Sequence, residues 1–213
     1  MSPEHFANIA VHVGSGTIAM AIGLYMLARR KGTPAHRRWG RLFCYFTLLV
    51  CFSAAVGTVF FRFLPLFAVL NVLVLYQLVS GWRSAYTQGR GPAAIDAAWT
   101  VIAAVSSGVL VPILLAAPGG ASMVVYASLG ALAFILLYDA LRWLFPRRWF
   151  HALWRYEHSY KLISSIFAML SALVGNVVRV GQPWSQIAPS VAGTLVVAYF
   201  FYRLSRQDPV RHT

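Results

Sequence analysis

Hydrophobic residues occur along this chain in seven long runs that short polar gaps separate. The runs lie near residues 6–28, 40–61, 65–83, 93–116, 122–145, 159–180 and 187–204. The hydrocarbon core of a bilayer is about 30 Å thick, and a helix needs about 20 apolar residues to cross it. Because the gaps are short, we expect residues 1–213 to form one all-α domain, a bundle of seven transmembrane helices.

The composition agrees with a membrane location. Of the 213 residues, 59% are hydrophobic and only 11% are charged, whereas about 25% of the residues of a soluble domain are charged. No Lys or Arg precedes the first run, and a secretory signal peptide would need a basic segment there. We therefore expect the first run to remain in the mature protein as a transmembrane helix.

Basic residues are distributed unevenly between the gaps. All but two of the 18 Lys and Arg residues fall in every other gap, beginning with the gap after the first run, and only Arg62 and Arg179 lie on the other side. Basic residues beside apolar runs stay on the cytoplasmic side, so we expect the N-terminus outside and the C-terminus inside. The net charge of +13 then indicates contact with anionic lipid headgroups. It does not indicate nucleic acid, for which no binding motif is present.

This orientation assigns a depth to each polar residue in or beside the runs. A charged group within the bilayer costs about 2.5–3.5 kcal/mol on insertion scales, so it usually has a partner or a function. Two groups result. The outer group contains His12, Asn71, Asn176 and Arg179, and the inner group contains His36, Asp96, Asp139, Glu157 and His158.

The inner group is compatible with several chemistries. His36 and His158 begin two separate helices on the same side, so they could be the axial ligands of a haem b. The same histidines with Asp96 and Asp139 could bind zinc or another divalent metal. A His–Asp pair could also carry protons. Alternatively, the carboxylates pair with the nearby arginines. No HExxH, CxxC or glycine-rich phosphate loop selects one of these.

The outer group predicts a second candidate site. His12 shares one face of the first run with small residues as far as Gly23, and we expect that face to contact the sixth helix. We expect His12 to contribute to cofactor binding, and Asn71, Asn176 and Arg179 to bind a small polar substrate or a quinone. The alternative is that His12 only hydrogen-bonds to a neighbouring backbone group or asparagine.

Several residues form spaced motifs, which together resemble a known family. The motifs are His12-x-x-x-Gly16, Lys31-Gly32, His36-Arg37-x-x-Gly40-Arg41, Ser80-Gly81-Trp82-Arg83, Asp96 with Trp99, and His158 followed by Asn176-Val177. This pattern resembles a family of uncharacterised bacterial multi-spanning membrane proteins, a domain of unknown function. The resemblance implies that His12, His36 and His158 occupy recurring positions, but it implies no activity. We expect a multi-pass protein of the bacterial inner membrane.

Four functions follow as hypotheses. We favour a redox protein that holds haem b and exchanges electrons with quinone. The alternatives are a small-molecule or proton-coupled transporter, a metal-dependent membrane hydrolase, and a non-enzymatic assembly subunit. The last would bind a partner subunit or form a homo-oligomer.

Overall fold

The computed structural model describes residues 2–178 and 180–207, which form helices joined by short turns. The helices are α1 (Pro3–Ala28), α2 (Pro34–Val56), α3 (Pro65–Thr87), α4 (Ala94–Ala116), α5 (Met123–Leu141), α6 (Phe150–Val177) and α7 (Trp184–Gln207). A π-helical turn, Gly57–Phe61, extends α2. Seven helices of the described chain are long and apolar enough to cross a membrane. The all-α class and the seven helices are therefore confirmed, and the orientation stays a prediction.

Local sequence signals explain where these helices begin. Prolines stand in the first turn of α1, α2 and α3, where the missing N–H group has no partner to lose. Thr33 caps α2, because its hydroxyl accepts a hydrogen bond from the His36 N–H at 3.1 Å. The largest difference from the predicted runs is α6, which begins at Phe150 rather than near residue 159. Its first turns are rich in aromatic and basic residues, so they did not register as apolar.

Helix α3 lies at the centre of the bundle. It is the most buried of the seven helices and contacts α2, α4, α5 and α6. Two apolar cores share it. The first joins α1, α2, α6 and α7 and includes Leu78 of α3, while the second joins α3, α4 and α5 around Leu73 and Ile135.

Helix α1 packs mainly against α2 and also contacts α6, the helix predicted to meet its small-residue face. A Cβ atom added to Gly16 would have Val50 of α2 as its nearest neighbour, at 3.7 Å. Gly23 approaches α6, where an added Cβ would lie 2.9 Å from a side-chain carbon of Ile166. The face therefore reaches α6 near Gly23, whereas His12 faces α2.

The chain reverses direction from each helix to the next. One side of the bundle therefore holds the C-terminal ends of the odd-numbered helices and the N-terminal ends of the even-numbered helices. This side carries most of the Lys and Arg residues, and we call it the basic end. Large apolar side chains such as Val59 and Phe60 cover much of the outer surface, as expected for helices that face lipid.

Candidate functional site

Two histidines meet at the basic end of the bundle. The ring centres of His36 in α2 and His158 in α6 lie 6.4 Å apart, and the ring planes are inclined at 76°. The Thr33 cap fixes His36 in the first turn of α2, whereas His158 lies in the third turn of α6. The structure therefore brings together two of the three histidines that we expected to bind a cofactor.

The hydrogen bonding of the two rings leaves nitrogen lone pairs available. Nδ1 of His158 lies 3.0 Å from the carbonyl oxygen of Gly81. A carbonyl only accepts hydrogen bonds, so Nδ1 carries the proton and Nε2 keeps a free lone pair. Nδ1 of His36 is buried and has no hydrogen-bond partner. The unpartnered Nδ1 of His36 and the Nε2 lone pair of His158 are therefore the ring atoms that could bind a ligand.

The close approach of α3 and α6 places the Gly81 carbonyl. A Cβ atom added to Gly81 would lie 2.8 Å from the Cβ of Lys161 and 3.1 Å from a side-chain carbon of Leu162. Any larger residue would push the helices apart, because real Cβ atoms do not approach so closely. Gly81 therefore brings its carbonyl within hydrogen-bond distance of His158.

The separation of the two rings suits two imidazoles that share one metal ion. An imidazole nitrogen binds a metal at about 2 Å, and the ring centre lies about 1 Å further away. Two imidazoles on opposite sides of one ion therefore have centres about 6 Å apart, close to the observed 6.4 Å. Such a pair is one of the axial ligand sets that proteins use to hold haem iron.

Lys31 provides positive charge beside the histidine pair. It lies in the turn between α1 and α2 and interacts electrostatically with both His36 and His158. Its ammonium group donates hydrogen bonds to the last carbonyl groups of α1. Partial burial, together with the nearby positive charge of Arg203, lowers the pKa of Lys31 to about 8. The surroundings therefore favour an anionic group near the two rings.

Four charged side chains form a buried cluster between α5 and α6. Asp139, Arg142 and Glu157 are each 4% exposed, and Lys161 is fully buried. The Lys161 ammonium lies 2.7 and 2.8 Å from the two carboxylate oxygens of Asp139. One guanidinium nitrogen of Arg142 lies 3.2 Å from Asp139 and 3.1 Å from Glu157. The cluster contains two cations and two anions, and this pairing offsets the cost of taking the charges out of water.

Hydroxyl groups donate further hydrogen bonds to the two carboxylates of the cluster. Tyr76 of α3 donates a hydrogen bond to Asp139 at 2.5 Å, and Tyr138 donates one to Glu157 at 2.9 Å. Ser84 of α3 also donates to Glu157, at 3.1 Å. The buried cluster therefore ties α3, α5 and α6 together at one depth.

Asp96 lies beside this cluster and is held separately. Its carboxylate forms two hydrogen bonds with Arg83, at 2.6 and 3.1 Å, and accepts a third from the backbone N–H of Ala93. A cavity of about 10 Å³, lined in part by Asp96, Trp99 and Arg142, has room for one water molecule. Trp99 Nε1 and Arg142 Nε are buried donors without a protein partner, and both residues line this cavity.

The carboxylates predicted to bind metal are engaged elsewhere. Within the described ranges, no three His, Cys, Asp or Glu residues form a group that could hold a metal ion. Asp96 is paired with Arg83 and Asp139 with Lys161, as the ion-pairing alternative predicts. Of the four predicted metal ligands, His36 and His158 lie side by side, and Asp96 and Asp139 line one small cavity together with Arg142.

The outer residues do not assemble into one pocket. His12 and Asn71 each form a hydrogen bond with the main chain of α2, within residues 50–53. His12 also contacts a serine hydroxyl in this stretch at 3.0 Å. Asn176 donates to a carbonyl of its own helix at an exposed position, and Arg179 lies outside the described residues. His12 and Asn71 thus share a neighbourhood that Asn176 does not join.

The buried cluster contains functional candidates that the sequence analysis did not identify. Lys161 and Arg142 were counted among the basic residues of the cytoplasmic gaps, although both are buried. Two spacings were informative signals. Asp139 and Arg142 are three residues apart, and Glu157 and Lys161 are four apart, so each pair of opposite charges lies on one helix face.

The fold defines the class of protein to which this chain belongs, a multi-pass integral membrane protein. No family model, curated protein or solved structure matches the chain. The resemblance to a family of multi-spanning membrane proteins stays a prediction.

Proposed function

We propose that this protein is an electron-transfer protein of the bacterial inner membrane that holds a haem b between His36 and His158. The proposal rests chiefly on one observation, the 6.4 Å between the centres of the two rings. The charge distribution supports an orientation with the basic end, and hence the haem, toward the cytoplasm. Haem b, when bound, supplies a one-electron redox couple.

The residues around the two rings have defined roles in this proposal. The Gly81 carbonyl orients His158 and fixes its tautomer, as second-shell groups of metal-binding histidines commonly do. Lys31 places a cation beside both rings, and Arg203 lies close to Lys31. Two cations here would bind the carboxylate substituents of a haem by charge-assisted hydrogen bonds.

An absorption spectrum of the detergent-purified protein tests the proposal. Protein from haem-replete cells is expected to show a Soret band, a haem b pyridine haemochrome spectrum and about one iron per chain, as one bis-histidine site requires. The variants His36→Ala and His158→Ala should each lose the low-spin signal of bis-histidine iron in electron paramagnetic resonance. His151→Ala is the matched control, because His151 is an exposed histidine of the same helix, and it should retain both spectra.

The outcomes separate haem from its competitors. A colourless, iron-free preparation would count against the proposal. Stoichiometric zinc or copper that depends on His36 and His158 would replace haem with a directly bound metal ion. Full haem content in both alanine variants would show that the histidine pair is not the ligand set.

A second candidate function is proton-coupled transport, which the buried charged cluster favours. Tyr76 donates a hydrogen bond to Asp139 and lines the water-sized cavity, while the adjacent Gln77 lines a larger cleft. Ionisable groups with cavities near them are a common arrangement in proton relays. Purified protein in liposomes would show a substrate-dependent proton flux that Asp139→Asn abolishes and the exposed variant Glu4→Gln does not. Liposomes that stay tight under every gradient would reject this candidate.

A further inference from the structure

A cleft of about 160 Å³ lies between α3, α5, α6 and α7. Val124 and Gln186 line it close to the starts of α5 and α7, at the side of the bundle opposite to the basic end. Gln77 and Tyr160 line its inner part. The stretch of α3 from Pro65 to Gln77 is about 18 Å long, and the hydrocarbon core of a bilayer is about 30 Å thick. The cleft therefore extends from one side of the membrane region to the middle of the bundle.

Two rows of polar side chains line the cleft. The row on α6 contains Tyr160, Ser164 and Ser171, and the row on α7 contains Gln186, Ser190 and Thr194. The spacings of four and seven residues place each row on one face of its helix. The rows meet where the Ser171 and Ser190 hydroxyl groups lie 2.8 Å apart. The described residues that line the cleft include no Asp, Glu, Lys, Arg or His, so its wall is polar but uncharged.

The wall offers both donors and acceptors of hydrogen bonds. The hydroxyl groups of Tyr160 and Ser164 and the side-chain amide of Gln186 have no hydrogen-bond partner in the described part of the chain. The Gln77 oxygen is buried, so the nitrogen of this amide is the atom that the cleft can reach. The Thr194 hydroxyl donates to a carbonyl of its own helix and keeps lone pairs that can accept.

Water suits this wall better than a lipid tail or an ion does. A hydrocarbon chain would leave the polar groups unpaired, which is costly in the interior of a membrane. An uncharged wall would not offset the cost of taking an ion out of water. A water molecule both donates and accepts, and it needs only about 10–15 Å³ of such space. The 160 Å³ of the cleft therefore has room for several water molecules.

The inner end of the cleft lies beside the buried cluster. Tyr160 precedes Lys161 in α6 and interacts electrostatically with Asp139. Gln77 follows Tyr76, whose hydroxyl donates a hydrogen bond to Asp139. Tyr76 and Asp139 also line the water-sized cavity near the basic end. The buried cluster therefore lies between two cavities that approach it from opposite sides of the membrane region.

We infer that this cleft is a water-filled vestibule, which opens at the side of the bundle opposite to the basic end and brings water to the buried cluster. The cluster closes the inner end, because its charged side chains are buried and form ion pairs with each other. The inference goes beyond the proposed haem, which lies at the basic end. It would supply one half of a path for proton-coupled transport, but it does not require protons to cross the membrane.

The reaction of introduced cysteines with 2-hydroxyethyl methanethiosulfonate, a small, neutral and hydrophilic reagent, tests this inference. The protein is kept in lipid nanodiscs, so that the reagent reaches both sides. Ser164→Cys and Ala131→Cys place a thiol in the cleft. Ala104→Cys is the matched control, because Ala104 is exposed in the middle of α4 and faces lipid.

Both thiols in the cleft should react at least about tenfold faster than the thiol that faces lipid, because the thiolate is the reactive form and apolar surroundings suppress it. The native Cys44 and Cys51 are buried. Their reaction is measured in the unmodified protein and subtracted.

A second substitution determines where the cleft opens. Ala172→Phe fills the part of the cleft near the end of α6. It should slow the reaction of Ser164→Cys at least about tenfold, because a filled cavity excludes water. Ala104→Phe adds the same side chain on the lipid-facing surface of α4 and should leave the rate unchanged.

Each outcome decides part of the inference. Thiols in the cleft that react as slowly as Ala104→Cys would overturn it, because lipid would then fill the space. A rate that Ala172→Phe does not change would overturn the assigned opening. Ser164 and Ala131 lie on different helices, so one variant decides even if the other fails to fold. Fast reaction in a protein whose liposomes stay tight to protons would support the vestibule and reject proton-coupled transport.

Discussion

Removal of the positive charge of Lys161 should destabilise the protein strongly. The ammonium group is fully buried and makes hydrogen bonds of 2.7 and 2.8 Å to Asp139. The buried cluster is electrically neutral with Lys161 present, and Lys161→Met would leave it with one uncompensated negative charge. Two charge-assisted bonds at about 1.5–3 kcal/mol each give a loss of about 3–6 kcal/mol. This agrees with the roughly 3–5 kcal/mol measured when one partner of a buried ion pair is removed.

The neutrality of the cluster makes a second, sharper prediction in a double-mutant cycle. Lys161→Met combined with Asp139→Asn leaves Arg142 and Glu157 as a neutral pair. The loss of unfolding free energy in the double variant should therefore be smaller than the sum of the two single losses, by about 2 kcal/mol. This coupling energy lies within the range measured for residues in direct contact.

Reversible unfolding in mixed micelles, followed by circular dichroism, provides the free energies. Arg90→Ala serves as a control, because Arg90 is exposed and its side chain bonds to carbonyl groups of the preceding helix turn. It should cost no more than about 0.5 kcal/mol. A loss below about 1 kcal/mol in Lys161→Met, or simple additivity in the cycle, would refute the reasoning that the cluster is stabilised by charge balance.

Three further predictions concern the fold. Gly81→Ala should lower the unfolding free energy by about 1–3 kcal/mol, because its Cβ would lie 2.8 Å from the Cβ of Lys161. Gly108→Ala is the control and should not change the unfolding free energy, because the space around Gly108 is open. Thr33→Ala should lower the unfolding free energy by about 1 kcal/mol through loss of the N-cap, and an unchanged melting curve would contradict this role. In spheroplasts, an impermeant maleimide should label Val180→Cys but not Arg90→Cys, and the reverse pattern would refute the predicted orientation.

The number and type of the elements could be predicted from the sequence because the bilayer imposes them. A helix that crosses it needs a minimum apolar length, and six of the seven runs correspond closely to the helices observed. The exception is the sixth run: helix α6 begins earlier than the run, because aromatic and charged residues between Phe150 and His158 belong to the helix. Hydropathy records the apolar part of a helix, not its full length.

The site could be predicted only in part, because depth is readable from the sequence and adjacency is not. Charge distribution placed His36 and His158 at one depth, and the structure adds that their rings are neighbours. The same distribution treated Lys161 as one more cytoplasmic cation. Whether a lysine faces water or a buried carboxylate depends on which helices pack together, and no spacing within α6 reports the position of Asp139 on α5.

The contact between α3 and α6 links the histidine pair to the buried cluster. Gly81 allows the close approach and offers its carbonyl to His158. Lys161, which packs against Gly81, leads to the buried cluster through its ion pair with Asp139. A change at Gly81 should therefore disturb both the histidine pair and the cluster, whereas a change at His158 should disturb only the histidine pair. Haem content and unfolding free energy are then two independent measurements on one helix contact, and the Gly81 variant should alter both.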